Sequence, residues 1–248
     1  GVSEKPVVSL LRNFSAPVNL QFNYSDEELA FLLKYETNGF NQWQATQTLL
    51  ERILLEGHDA KVYLDAIQQT LPFVISKDPL LASRLFDVPT EGYLGSRIDE
   101  NYQPEIVHEA RETLLESLAR GLGDFCKETY LALDPVAQKD FSQAMGVRAL
   151  KNIMLNMMAR QGDPEAFDLA TAQYNETGNM SERLGALRVL VWNDAPQAKE
   201  VLQDFYNRFK DEPLSLDQWF MLQAAHPNAG PETIQYLTNH VDYDLGTP

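Results

Sequence analysis

From Ser25 onward, apolar residues recur at the three- and four-residue spacing of helices, segment after segment, with no alternating run between them. Helices in series with mostly short connections pack as antiparallel neighbours. About ten in a row imply an all-α fold, a superhelical, α-solenoid-like stack. The first opens on Ser25-Asp26-Glu27-Glu28, a capping box in which the Ser25 hydroxyl and the Glu28 carboxylate satisfy free N–H groups, and Leu29, Leu32, Leu33 and Tyr35 follow as packing residues. A second helix is expected over about 40–55, with Trp43, Leu49, Leu50, Ile53 and Leu54 inward and Gly57 as its stop. Further helices are expected over roughly 59–70, 79–86, 104–120, 134–160, 164–175, 181–192, 195–210, 215–225 and 231–240. The stretch 87–103, with Pro89, Gly92 and Gly95, reads as a loop lying against the helices. No fixed repeat period is evident, and the tetratricopeptide and ankyrin signatures are absent.

The residues before Ser25 follow a different pattern. Pro6–Arg12 and Val18–Phe22 are short runs, the second alternating with period two, separated by Ser15-Ala16-Pro17. They read as strands, and two strands alone bury too little surface to be stable in water. The expected organisation is therefore 1–24 as terminal strands of an upstream sheet and 25–248 as the helical domain.

Charge and cysteine content narrow the functions. The 248 residues carry 20 Lys+Arg against 36 Asp+Glu, a net charge of −16. Such a surface repels phosphate backbones and anionic lipid, so neither nucleic acid nor a membrane is expected as a partner. No run approaches the roughly 20 apolar residues of a membrane helix. Cys126 is the sole cysteine, which excludes an internal disulfide and a cysteine-based zinc site. Lacking a disulfide framework and a signal peptide at Gly1–Pro6, the chain is expected to be cytoplasmic.

Candidate chemistry is sparse. His108-Glu109-Ala110-Arg111-Glu112 resembles the opening of H-E-x-x-H, but Glu112 stands where the second metal-binding His belongs. Glu105, Glu109, Glu112 and Glu116 instead read as a solvated acidic face over a buried stripe of Val107, Ala110, Leu114 and Leu118. Met145, Met154, Met157 and Met158 could suggest a soft-metal site but read as gap-filling core. Cys126 lacks a base within reach in sequence, His58, His226 and His240 being scattered, and reads as a structural thiol. Asp217-Gln218-Trp219-Phe220 with Arg183 and Arg188 could line a cleft; Trp219, Phe220 and Leu222 serve equally as packing residues.

Several stretches, in order, resemble one family. Ser9-Leu10-Leu11-Arg12-Asn13-Phe14-Ser15-Ala16-Pro17-Val18 looks like the end of the β-sandwich domain of bacterial alanyl aminopeptidases (the aminopeptidase N family). Phe40-Asn41-Gln42-Trp43-Gln44-Ala45 resembles the family's Phe-x-x-Trp-x-Ala run, and Leu85–Leu94 its Leu-Pro-Ser-Glu-x-Tyr-Leu loop, with Val88 and Thr90 as departures. Arg148–Asn152, Asn179-Met180-Ser181 with Ala186-Leu187, and Asp217–Ala224 also fit. The resemblance implies a zinc metallopeptidase that removes N-terminal amino acids, with a thermolysin-like catalytic domain, a small β-sandwich and a helical C-terminal superhelix. Its zinc ligands come from H-E-x-x-H plus a downstream Glu, and a Gly-x-Met-Glu-Asn strand grips the substrate amine. Neither motif occurs here.

The resemblance therefore implies no catalytic, substrate-binding or metal residue and no cofactor in this chain, and zinc only in the parent enzyme. The implied partners are the catalytic domain of the same polypeptide and, in the intact enzyme, peptide substrates. The family's helical domain continues past the segment matched by Asp217–Ala224, so the helical domain is expected to be incomplete at its C-terminal end. The expected role is a non-catalytic cap over the active-site cavity that restricts access. The alternative is a free-standing helical-repeat scaffold that binds a protein partner.

Overall fold

Helix α1 (Asp26–Tyr35) begins where the capping box demands: the Ser25 hydroxyl accepts the Glu28 N–H at 3.2 Å and the Glu28 carboxylate accepts the Ser25 N–H at 2.9 Å. The computed structural model describes residues 5–14, 18, 22–98, 102–138, 140–244 and 246. Its secondary structure among these is helical throughout, and the chain divides into two compact units, Gly1–Gln161 and Gly162–Pro248.

The first unit holds α1, α2 (Gly39–Glu51), α3 (Ala60–Lys77), α4 (Pro79–Arg84), α5 (Glu91–Ser96), α6 (Pro104–Leu122), α7 (Phe125–Ala132) and α8 (Phe141–Gln161). Asn38, Asp59, Asp78 and Thr90 cap their helices through side-chain oxygens. Helix α2 widens into a π-turn at Arg52–Glu56, which Gly57 closes at φ 71°. The buried stripe of α1 is Leu29, Leu32 and Leu33, while Tyr35, expected to pack inward, is exposed and lies against Phe31 with ring centroids 4.7 Å apart.

Two helix boundaries differ from the sequence-based expectation, and two helices were not expected. Helix α3 passes through Pro72 to Lys77 instead of ending near residue 70. Its apolar stripe continues on both sides, with Ile67, Leu71 and Val74 buried, and that burial outweighs one lost hydrogen bond. The segment 134–160 does not form one helix. The Asp134 carboxylate accepts the Val136 and Ala137 N–H groups and makes only a turn, because Val136 faces solvent with nothing to bury. Asp140 caps the helix instead, where the stripe beginning at Ala144 needs it. Ahead of that turn lies α7, a helix the apolar pattern left unmarked, and the presumed loop 87–103 contains α5.

The strand reading of Pro6–Arg12 is corrected: these residues, as far as they are described, form no strand, and Arg12–Phe14 is a 3₁₀ turn. A strand needs a paired edge, and this segment meets only helices. The Asn41 amide donates to the Leu10 carbonyl at 2.7 Å and to the Ser9 hydroxyl at 3.1 Å. Arg12 reaches the buried Glu36 carboxylate at 3.2 Å, and the Tyr24 hydroxyl donates to the Val8 carbonyl. The second run, Val18–Phe22, lies largely outside the described residues.

Helices α4 and α8 cross very closely. A Cβ on Gly146 would stand 2.4 Å from the Leu80 backbone nitrogen and 2.8 Å from its Cα, so only glycine fits there.

The second unit holds α9 (Ala166–Glu176), α10 (Met180–Trp192), α11 (Ala198–Phe209), α12 (Pro213–Ala224) and α13 (Pro231–Thr238), with sequential helices packed as neighbours. Fully buried Tyr174 and Phe205 anchor its core, and the Tyr174 hydroxyl donates to the Asp204 carboxylate at 2.7 Å.

Candidate functional site

The first unit carries a cavity of about 630 Å³ between α2, α4, α6, α8 and the segment 86–93. Phe86, Val88, Leu115 and Met157 give it apolar walls; Trp43, Gln44 and Asn156 supply polar edges. The Trp43 indole N–H and the Asn156 amide make no hydrogen bond among the described residues.

The segment along its rim is fixed by a dense set of bonds. Gln47 donates to the Asp87 carbonyl at 2.7 Å, and the Arg111 Nε–H donates to the Pro89 carbonyl at 2.7 Å. His108 Nδ1 lies 2.8 Å from the Glu91 carboxylate, which also faces Arg111 at 3.5 Å. The Tyr93 hydroxyl donates to Glu51 at 2.5 Å, and that hydrogen bond raises the Tyr93 pKa. Size and lining suit a neutral, amide-rich ligand such as a peptide segment. The rim carboxylates Glu51 and Glu91 are already paired, with Tyr93 and with His108 and Arg111.

The other singled-out residues are dispersed. Glu112, the position that would have to be a ligand, is paired with Arg160 at 2.7 Å, while Glu109 points to solvent. Among the described residues, no three His, Cys, Asp or Glu side chains converge. The described residues therefore offer no ligand set for a zinc ion. Met154, Met157 and Met158 are buried core and Met145 is largely exposed. Burial pushes the Cys126 thiol up to about 12, with the Gln161 side chain as a weaker opposing contact, so no reactive thiolate forms.

Arg183 and Arg188 have separate fates. Arg183 is buried and donates to the Tyr174 carbonyl at 3.2 Å and to the Thr177 carbonyl, covering the C-terminal end of α9. Trp219 is a packing residue whose indole N–H donates to the Leu202 carbonyl at 3.1 Å and whose ring meets Tyr206 and His240. Arg188 instead borders a small second cavity. The cavity of the first unit escaped sequence reading because its lining comes from helices far apart in the chain. Its one legible sign was the Pro- and Gly-rich segment after Phe86.

A family model described as "Domain of unknown function (DUF3458_C) ARM repeats" matches residues 26–248. The chain belongs to this family. Two relatives named aminopeptidase N are similar along nearly its whole length. The one from Escherichia coli (strain K12) is 28% identical over 254 residues, which is 98% of this chain and 29% of that protein. The one from Caulobacter vibrioides is 31% identical over 260 residues, covering all of this chain and again 29% of the relative. The chain thus spans under a third of the relatives it matches. Among solved structures, aminopeptidase A of Legionella pneumophila, in complex with aspartic acid, superposes with a TM-score of 0.81 at 24% identity, over 98% of this chain and 30% of that one. At that identity the likeness establishes the fold alone.

Proposed function

We propose that this chain is the non-catalytic helical domain of a zinc-dependent aminopeptidase that removes N-terminal amino acids from peptides. The observation that carries the reading is the colinear match of the whole chain to about 29% of aminopeptidase N relatives. In the parent polypeptide it caps the active-site cavity and restricts entry to slender peptides. A closed, partly dehydrated cavity strengthens electrostatics at a metal and excludes folded proteins. The partners are the catalytic domain of the same polypeptide and peptide substrates, with zinc held outside this chain and the enzyme in the cytoplasm. Residues 1–24 connect the helices to a β-sandwich that precedes them in the parent polypeptide. The rigid rim around Glu91 and the absence of a reactive constellation among the described residues fit a wall better than a reacting centre.

The test begins with the gene: an in-frame H-E-x-x-H with its downstream Glu on the 5′ side of this segment is expected. The full gene product should then cleave alanyl anilide and lose that activity with a chelator. Removing 25–248 should admit substrates the intact enzyme refuses. A gene with no such motif beside this segment refutes the reading and leaves a free-standing scaffold.

A further inference from the structure

In a chain with net charge −16, arginines are engaged by carboxylates, as Arg52, Arg111 and Arg160 are, or by carbonyls, as Arg183 is. Arg188 has neither among the described residues. Its guanidinium lies over the Trp192 ring, 5.1 Å from the centroid and one turn away on α10. The indole is itself anchored, its N–H donating to the Leu222 carbonyl of α12 at 2.9 Å. A planar cation is thus held on a fixed aromatic face with its N–H groups unused. Beside it is a cavity of about 170 Å³ with apolar walls of Leu184, Met221 and Leu222, and with Gln218, whose amide also makes no hydrogen bond among the described residues.

From this geometry we infer that Arg188 and Gln218 form a binding site for a carboxylate carried on a short apolar stem. Guanidinium and carboxylate match as planar, two-pronged partners, and the Gln218 amide adds a third donor. The stem lies against Leu184 and Met221. A volume near 170 Å³ corresponds to roughly six waters, enough for propionate or the end of a glutamate side chain. Phosphate would leave the apolar walls unused. Packing around its stem pulls the Arg188 pKa down from its ordinary value while the residue as a whole stays exposed, so its guanidinium is open to a carboxylate. The site is independent of the peptidase reading, since it lies within the second unit and uses no catalytic group.

The experiment is a titration of the full chain by NMR at constant ionic strength, following the Arg188 Nε–H and Trp192 indole resonances. Sodium propionate should give saturating shifts, with a dissociation constant on the order of 1 mM, and propionamide of the same shape none. Arg188→Gln should abolish the propionate response while thermal unfolding stays unchanged, and Gln218→Leu should weaken it several-fold. A peptide capped at both ends and bearing one glutamate separates the sources. Binding at least tenfold tighter than propionate identifies an acidic side chain of a polypeptide as the ligand, and equal or weaker binding a free small carboxylate. Equal responses to propionate and propionamide, or a propionate response that survives Arg188→Gln, would overturn the assignment.

Discussion

The close crossing of α4 and α8 gives opposite answers depending on whether Gly146 is viewed as a helix residue or as a packing residue. By helix propensity, Gly146→Ala in mid-helix stabilises by about 1 kcal/mol. By packing, the added methyl group meets the Leu80 backbone at 2.4–2.9 Å, and backbone cannot rotate aside as a side chain can. Ordinary carbon contacts lie near 3.5–4.0 Å, so the helices must separate by about 1 Å. That separation loosens contacts of Ala82, Leu85, Val147 and Leu150, all buried. Overpacking of this kind costs about 3 kcal/mol, leaving a net loss of about 2 kcal/mol, or roughly 4–8 °C in Tm for a unit of this size. Thermal unfolding by circular dichroism, with urea midpoints as a cross-check, reads it directly. Gly92→Ala is the control: it lies in α5 with open space where its Cβ would be, and should be neutral or slightly stabilising. If Gly146→Ala melts higher than the native chain, the helices do not approach as described.

Four further outcomes follow from the same contacts. Arg183→Ala strips two carbonyls at the end of α9 of their donor and should cost about 2–3 kcal/mol in urea unfolding, whereas Arg188→Ala should stay within about 0.5 kcal/mol; equal losses would contradict their different burial. Partial burial opposes ionisation of Asp26, but hydrogen bonds from Arg52 and His58 outweigh it and hold its pKa below the ordinary value. A carboxylate depressed in the folded state stabilises fully above its unfolded pKa of about 4 and less as pH falls through the folded one, so the urea midpoint should drop below about pH 4. Asp26→Asn should cost about 1–2 kcal/mol at pH 7 and flatten that drop; an undiminished drop would assign it to other groups. Cys126 should resist a thiol reagent at pH 8 in the native chain and react fully in urea, and fast native labelling would deny its burial. Deleting residues 1–24 should preserve the helical spectrum but lower Tm by roughly 5–10 °C, since Glu36, Asn41 and Arg52 each lose a hydrogen-bond partner worth about 1 kcal/mol; an unchanged Tm would show that this segment does not dock on α1 and α2.

What the sequence by itself determined is the local part of this protein. The capping box at Ser25, the stop at Gly57, the stripes of α1 and α6 and the all-α class are set by neighbours within a few residues, where spacing and hydrogen-bond chemistry act without knowledge of the rest of the chain. Tertiary packing decided what depends on distant partners. Burial of Val74 carried α3 through Pro72, and exposure of Val136 left the Asp134 turn without a helix to follow it. Pro6–Arg12 met helices rather than a sheet edge and made a 3₁₀ turn where its pattern suggested strand. Arg183 and Arg188, five residues apart on one helix, were alike in sequence. Their neighbours separated them: the carbonyl end of α9 took one, and the open face of Trp192 left the other free to bind. A side chain's partner is a property of the folded surface, and no local pattern encodes it.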